Sequence, residues 1–281
     1  MRTVEIPKRN GQTRTVYVPS RAEKQALRQA LPAIAAKVQA ASAPGILHGF
    51  VCGRSPVTNA RAHVGRKCTV TFDLRDFFAS VQAEHLPMLD GETLDLVLVE
   101  GSPRQGLPTS PAVANLAALR LDRAISGWLK RTGDKRAVYT RYADDLTLSC
   151  DSPEVLQQAQ EKIPQLVTRH GFQVAPEKTH VYLASAGRRM VTGVAVDEHG
   201  VYPTRKMRRR LRAARHQGHH SEARGLAEWC RLRLPRAARK TRRGRAIARG
   251  TTQTNTQPIP PLPRRAIIRR VSVSLTTEEP L

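Results

Sequence analysis

Aromatic side chains are scarce. Two Trp, five Tyr and five Phe among 281 residues leave little material for an extended base-stacking surface. Cysteine is scarcer still: Cys52, Cys68, Cys150 and Cys230 form no CxxC pair and no Cys/His spacing. That argues against a zinc module and against a disulfide scaffold, and leaves reduced, buried thiols as the expectation. Long apolar runs are missing as well. Each is short and interrupted by charge, and Met1-Arg2-Thr3-Val4-Glu5 has no signal-peptide apolar region, so a cytoplasmic chain with no membrane-spanning segment is expected. Acid is in short supply: 23 Asp and Glu stand against 47 Lys and Arg, a formal net charge of +24. The excess is concentrated, since residues 201–270 hold 21 Lys or Arg and only Glu222 and Glu228 as acids. A segment of that kind calls for a polyanionic partner, be it nucleic acid, an acidic membrane or an acidic protein.

What is present has an order. Ile6 to Pro19, with an Asn10-Gly11 turn inside it, reads as a basic hairpin carrying Lys8, Arg9 and Arg14. An Ala/Leu/Gln-rich helix over 21–41 ends at Ala43-Pro44-Gly45, and residues 49–66 read as irregular. Cys68 to Leu74 is a β-rich run. Ser110 as N-cap and Pro111 in the first turn open one long helix over 112–130. A strand, turn and strand over 138–149, a helix over about 153–170, and strand-like runs at 172–174 and 179–183 follow. This is an α+β order, with helices packed on a largely antiparallel sheet. From Thr204 an Arg-rich helix carries a narrow apolar stripe of Met207, Leu211 and Ala214. Beyond Leu234 the composition becomes that of a linker, with Thr251–Gln257 and Pro258–Pro263 reading as disordered.

Tyr142-Ala143-Asp144-Asp145 falls between two strands and presents adjacent carboxylates at a hairpin turn. Taken alone, the pair reads equally well as a solvated turn, because Asp favours turns for local hydrogen bonds. Asp73 adds a third carboxylate on a strand whose alternation puts Thr69, Thr71 and Asp73 on one face. Three carboxylates suit two Mg²⁺ ions about 3.5–4 Å apart, which clamp the attacking and leaving oxygens of a phosphoryl displacement.

Motifs in sequence order narrow this further. Phe72-Asp73-Leu74-Arg75-Asp76-Phe77-Phe78, then Arg104-Gln105-Gly106-Leu107-Pro108-Thr109-Ser110-Pro111, then Arg141-Tyr142-Ala143-Asp144-Asp145, then Gly171-Phe172 and Pro176-Glu177-Lys178-Thr179 together resemble the reverse transcriptases. Asn59-Ala60-Arg61-Ala62-His63 and Val191-Thr192-Gly193 are similar to the two elements that mark the retron branch. The resemblance runs from Ile6 to about Pro235 and implies a right-hand polymerase fold. Residues 1–66 would be the fingers and a retron-type region, 67–200 an antiparallel-sheet palm, 201–235 a small basic helical thumb, and 236–281 a basic tail.

The resemblance also implies roles. Asp73, Asp144 and Asp145 would be catalytic and hold two Mg²⁺ with the backbone carbonyl of Leu74. Lys8 and Arg14 would hold the triphosphate of an incoming dNTP, a solvated hairpin face being the other reading; Gln105 and Gly106 would line its pocket, where Gly106 alone also reads as a mere turn; and Lys178 would protonate the leaving group or make a structural or template contact. Phe78 would exclude the 2′-hydroxyl; an ordinary core aromatic is the other reading, since Phe77 is adjacent. Asn59, His63, Val191, Thr192 and Gly193 would contact a structured noncoding RNA, although Asn59 and His63 read equally well as hydrogen-bonded core residues and Val191-Thr192-Gly193 as a strand leading to a turn, while Arg208, Arg209 and Arg212 would grip the template–product duplex through its phosphates. The activity implied is RNA-directed DNA synthesis on that RNA. Priming would come from an RNA 2′-hydroxyl and leave a branched RNA–DNA, in anti-phage defence with an effector protein. A reverse transcriptase of the group II intron type and a non-catalytic RNA-binding protein with a polymerase fold are the alternatives.

Overall fold

The computed structural model describes residues 1–7, 11 and 13–234. Lys8 and the tail from 236 onward, both given roles above, lie outside the described residues. The chain opens with an antiparallel hairpin of β1 (Arg2–Pro7) and β2 (Thr13–Val18). Helix α1 (Arg21–Ala41) follows, started by a capping box in which Ser20 accepts from the Glu23 amide and Glu23 reaches back to the Ser20 amide. The stretch expected to be irregular contains α2 (Pro56–Ala62), with its own box between Ser55 and Thr58. Then come β3 (Cys68–Asp73), α3 (Gly91–Val97), α4 (Ser110–Ala117) and α5 (Leu119–Arg131). The single helix expected over 112–130 is therefore two, broken at Ala118, whose ψ of 1° leaves the helical range.

β4 (Val138–Tyr142), β5 (Asp145–Cys150), α6 (Pro153–Arg169) and β6 (His180–Leu183) complete a four-stranded sheet of order β4-β5-β3-β6. Every pairing in it is antiparallel, so the α+β expectation holds. Residues 172–174 do not form a strand; they contribute the isolated bridge Leu74↔Val174. A second, three-stranded sheet of β7 (Arg189–Val191), β8 (Val194–Val196) and β9 (Val201–Tyr202) went unseen in the sequence because its strands are too short to show a period. Last is a helical hairpin of α7 (Arg205–His216) and α8 (His220–Cys230), in which Met207, Leu211 and Ala214 face inward and Arg210 bonds Glu222 at 2.7 Å.

The four-stranded sheet has two unlike faces. Val70, Phe72, Leu146 and Leu148 are buried with Ile125, Ile163 and Val167 of α5 and α6 in the main core. The register pairs Thr69 with Ser149, Thr71 with Thr147 and Asp73 with Asp145 on the other face, which is polar. At its base that face is covered: α2 and the small sheet share a second core of Val57, Ala60, Val191, Val194, Val196 and Leu232. The thiols divide as well, since Cys68 and Cys150 are buried but Cys52 is exposed, against the expectation that all four are covered. Among the described residues no helix is long and apolar enough to cross a membrane.

Candidate active site

The strand period of two and the β3–β5 register bring Asp73, last in β3, directly opposite Asp145, first in β5. Asp144 precedes it in the two-residue turn whose other member, Ala143, has φ +58°, a left-handed conformation uncommon outside glycine. The turn is tied to the end of β3 by Leu74 N–H donating to Asp144 O at 3.0 Å. On the far side, Ala175 N–H donates to Asp73 O at 2.8 Å and Arg75 N–H to Gln173 O at 2.8 Å. From the turn at Pro176–Lys178, the Lys178 ammonium donates to Asp73 Oδ2.

Electrostatics set these carboxylates apart. Burial, and then the charges of Asp144 and Asp73, push the Asp145 carboxyl up to about 7. Asp144 is raised by burial and by Asp73, while Lys178 is raised by its hydrogen bond to Asp73. Half-buried oxygens that repel one another and have one ammonium among them are an undercompensated anionic site. A hard divalent cation, which takes carboxylate oxygens, fits that donor set. Among the described residues no three His, Cys, Asp or Glu side chains form a ready cage, and a cation at Asp73 would share or displace Lys178.

The turn rests on a buried polar post that sequence reasoning missed. Arg141, fully buried, donates from Nε and Nη2 to Asp122 of α5 at 2.9 and 2.8 Å, from Nη1 to Asn115 Oδ1 of α4 at 3.0 Å, and to the Ala143 carbonyl at 3.2 Å. Tyr139 donates to the same Asp122 at 2.8 Å. The available signal was Asn115 and Asp122 themselves, polar residues seven apart on the apolar stripe of two helices.

Several expected site residues are placed as follows. Phe77 is in the core, against Phe172 at 5.8 Å, whereas Phe78 is half-buried and meets Phe50 at 6.1 Å. Of the two it is Phe78 that keeps partial exposure. Gly106 has φ +105°, and a Cβ there would overlap the Tyr17 carbonyl; Tyr17 N–H in turn donates to Gln105 O at 2.7 Å. The close approach at Gly106 is thus to β2 of this chain. Arg14 is exposed on β2, and Gln105 is exposed on its loop.

The two retron-type elements meet: Asn59 Nδ2 donates to Thr192 Oγ1 at 3.1 Å. Three of the expected RNA contacts are corrected by burial. Asn59, His63 and Val191 are 0% exposed. His63 lies under the polar face, bonded to Ser149 Oγ at 2.8 Å and Thr140 Oγ1 at 2.7 Å, and Val191 belongs to the second core. Thr192, with φ +45°, and exposed Gly193 form the turn between β7 and β8. Arg208, Arg209 and Arg212 are exposed on α7 and, with Arg205, line a cleft of about 320 Å³.

A family model described as reverse transcriptase (RNA-dependent DNA polymerase) matches residues 89–226. The retron Ec86 reverse transcriptase of Escherichia coli is 30% identical over 240 residues, covering 81% of this chain and 73% of that protein. The chain belongs to the retron reverse transcriptases. The retron Mx65 enzyme of Myxococcus xanthus is 34% identical over 285 residues, 89% of this chain, and the retron Mx162 enzyme is 35% identical over 254 residues, 75% of this chain. This retron-family chain spans 65% and 51% of those two proteins. Among solved structures, telomerase from Candida albicans with a fragment of telomeric RNA superposes with a TM-score of 0.56 at 12% identity, over 72% of this chain and 45% of that one. Apo telomerase from Candida tropicalis gives 0.51 at 14% identity, over 72% of this chain and 48% of the other. The fold is a right-hand polymerase fold.

Proposed function

We propose that the chain is an RNA-directed DNA polymerase that copies a structured noncoding RNA, extending from a 2′-hydroxyl of that RNA to leave a branched RNA–DNA. The observation that carries the reading is the register of Asp73 against Asp145 with Asp144 beside them, in a chain of the retron family. Residues 1–66 are assigned to fingers and a retron-type region, 67–200 to the palm and 201–235 to a thumb. An effector protein, a role in anti-phage defence and a cytoplasmic location complete the reading on family grounds.

Asp73, Asp144 and Asp145 would hold two Mg²⁺, which supply charge to activate the primer hydroxyl and to neutralise the leaving pyrophosphate. The chain's own groups do the rest. The Lys178 ammonium, kept protonated by Asp73, would give a proton to the departing pyrophosphate as general acid. Phe78 bars a 2′-hydroxyl by bulk. Thr192 and Gly193 face the RNA, with Asn59 behind them as support, and the open arginines of α7 neutralise duplex phosphates without reading bases.

The test is the product's linkage. The purified protein, given dNTPs and the inverted-repeat RNA transcribed from the DNA flanking its gene, should make DNA that stays joined to RNA after denaturation and is freed by a 2′,5′-debranching enzyme. DNA that separates on denaturation would contradict 2′-priming.

A further inference from the structure

Phe50 is a large apolar side chain left 48% exposed on a backbone with φ +58°, a conformation that bulky residues rarely adopt. Its neighbours account for both. Residues 46–50 run alongside β4, where Arg141 N–H donates to Ile46 O and His48 N–H to Arg141 O, each at 2.9 Å. The chain then passes beneath the carboxylate turn so closely that a Cβ on Gly49 would overlap the Ala143 amide nitrogen. Gly49 O accepts from Asn115 Nδ2 at 3.0 Å, and Asn115 is held by Arg141. The post that supports the turn therefore also fixes the residue before Phe50. What this arrangement delivers is an aromatic ring facing Phe78, with centroids 6.1 Å apart and planes at 47°. Phe78 also meets Phe77, with centroids 6.0 Å apart.

We propose that Phe50 is a positioning residue for sugar selection: its ring buttresses Phe78 and sets where that ring stands against the sugar of the incoming nucleoside triphosphate. This rests on the reading of the chain as a DNA polymerase with Phe78 as its steric gate. Without Phe50, Phe78 keeps Phe77 as its aromatic neighbour among the described residues and gains room on the exposed side to yield to a 2′-hydroxyl. A rival role, direct stacking of Phe50 on a base, would act independently of Phe78.

The two roles separate in a double-mutant cycle. The full chain and its Phe50→Ala, Phe50→Leu, Phe78→Ala and doubly substituted forms are assayed on a primed RNA template for the ratio of kcat/KM with dGTP to that with GTP, and melted in parallel. An aromatic contact of this kind is worth up to about tenfold, so Phe50→Ala should lower the ratio by roughly that factor through a lower KM for GTP. Phe50→Leu should lower it less. The double variant should discriminate no worse than Phe78→Ala alone. A normal ratio in Phe50→Ala beside a lowered ratio in Phe78→Ala would overturn the proposal, as would multiplicative losses in the double variant. If Phe78→Ala left the ratio untouched, the gate assignment would fall and the buttress with it, whereas wild-type dGTP incorporation would still stand for the polymerase reading. Because the Phe50 ring is half open to solvent, its melting temperature should move little, and Phe50→Leu retains most of the apolar volume if Ala does not fold.

Discussion

Two histidines show how far a single residue's role departs from what its letter suggests. His63 was legible as part of a family element, and its letter left an RNA contact and a hydrogen-bonded core residue equally open. Its ring joins Ser149 to Thr140 beneath the sheet, and burial pushes its pKa down to about 3. His48, bonded to Thr58 at 2.8 Å, is lowered to about 4 by burial. Both are held neutral in the fold, so the unfolded chain takes up their protons first and stability falls as the pH drops below about 6.5 toward those values. Asp145, raised to about 7, works in the opposite sense: its ionisation burdens the fold at higher pH and is relieved by acid. The His63 contribution is therefore read as a difference. Between pH 6.5 and 5 the unfolding free energy of the wild type should fall more steeply than that of His63→Gln, by on the order of 1 kcal/mol per pH unit. Equal slopes in urea titrations would mean that His63 titrates normally in the folded chain.

At the scale of elements, the strands that carry the carboxylates were legible because they are long enough to alternate and are separated by turn residues. Thr69, Thr71 and Asp73 share a face as their spacing requires. The break at Ala118 was not legible, since Ala is the best helix former and nothing local ends a helix there. Nor was the pairing of the Arg141–Asp122–Asn115 post, which joins three consecutive elements through side chains whose partners no local pattern names and buries a charge that local patterning assigns to the surface. The passage of Gly49 under the turn belongs to the same scale. Gly49→Ala must push the Ala143 backbone aside, at about 1–3 kcal/mol of strain, and should depress DNA synthesis by more than tenfold, out of proportion to that destabilisation. Gly91→Ala, with nothing within 4 Å of the added carbon, is the control. Comparable activity in the two variants would show that the segment 46–50 does not govern the turn.

For the whole molecule, the net charge of +24 pointed to a polyanion from composition alone, and the structure places part of the excess on one open helical face. Arg210 is engaged by Glu222, whereas Arg208, Arg209 and Arg212 line the α7 cleft. Replacing these three with Gln should flatten the plot of log affinity for an RNA–DNA duplex against log salt by roughly 0.7–0.9 for each phosphate that is no longer neutralised. Arg210→Gln should change it less, and an unchanged slope in the triple variant would put the duplex elsewhere. Which RNA is copied was not legible, because an A-form duplex is gripped by shape and phosphate and leaves no base-specific signature in the side chains that hold it.

The central claim is that three carboxylates at the end of one sheet run a cation-dependent polymerisation, and Asp145→Asn tests it most directly. The substitution keeps volume and removes the charge that a divalent cation needs. Incorporation of labelled dNTPs on a primed RNA template with Mg²⁺ present should vanish, while affinity for the same RNA and the melting temperature hold or rise, since burial makes the ionised carboxylate a burden to the fold. Incorporation near the wild-type rate would contradict the account.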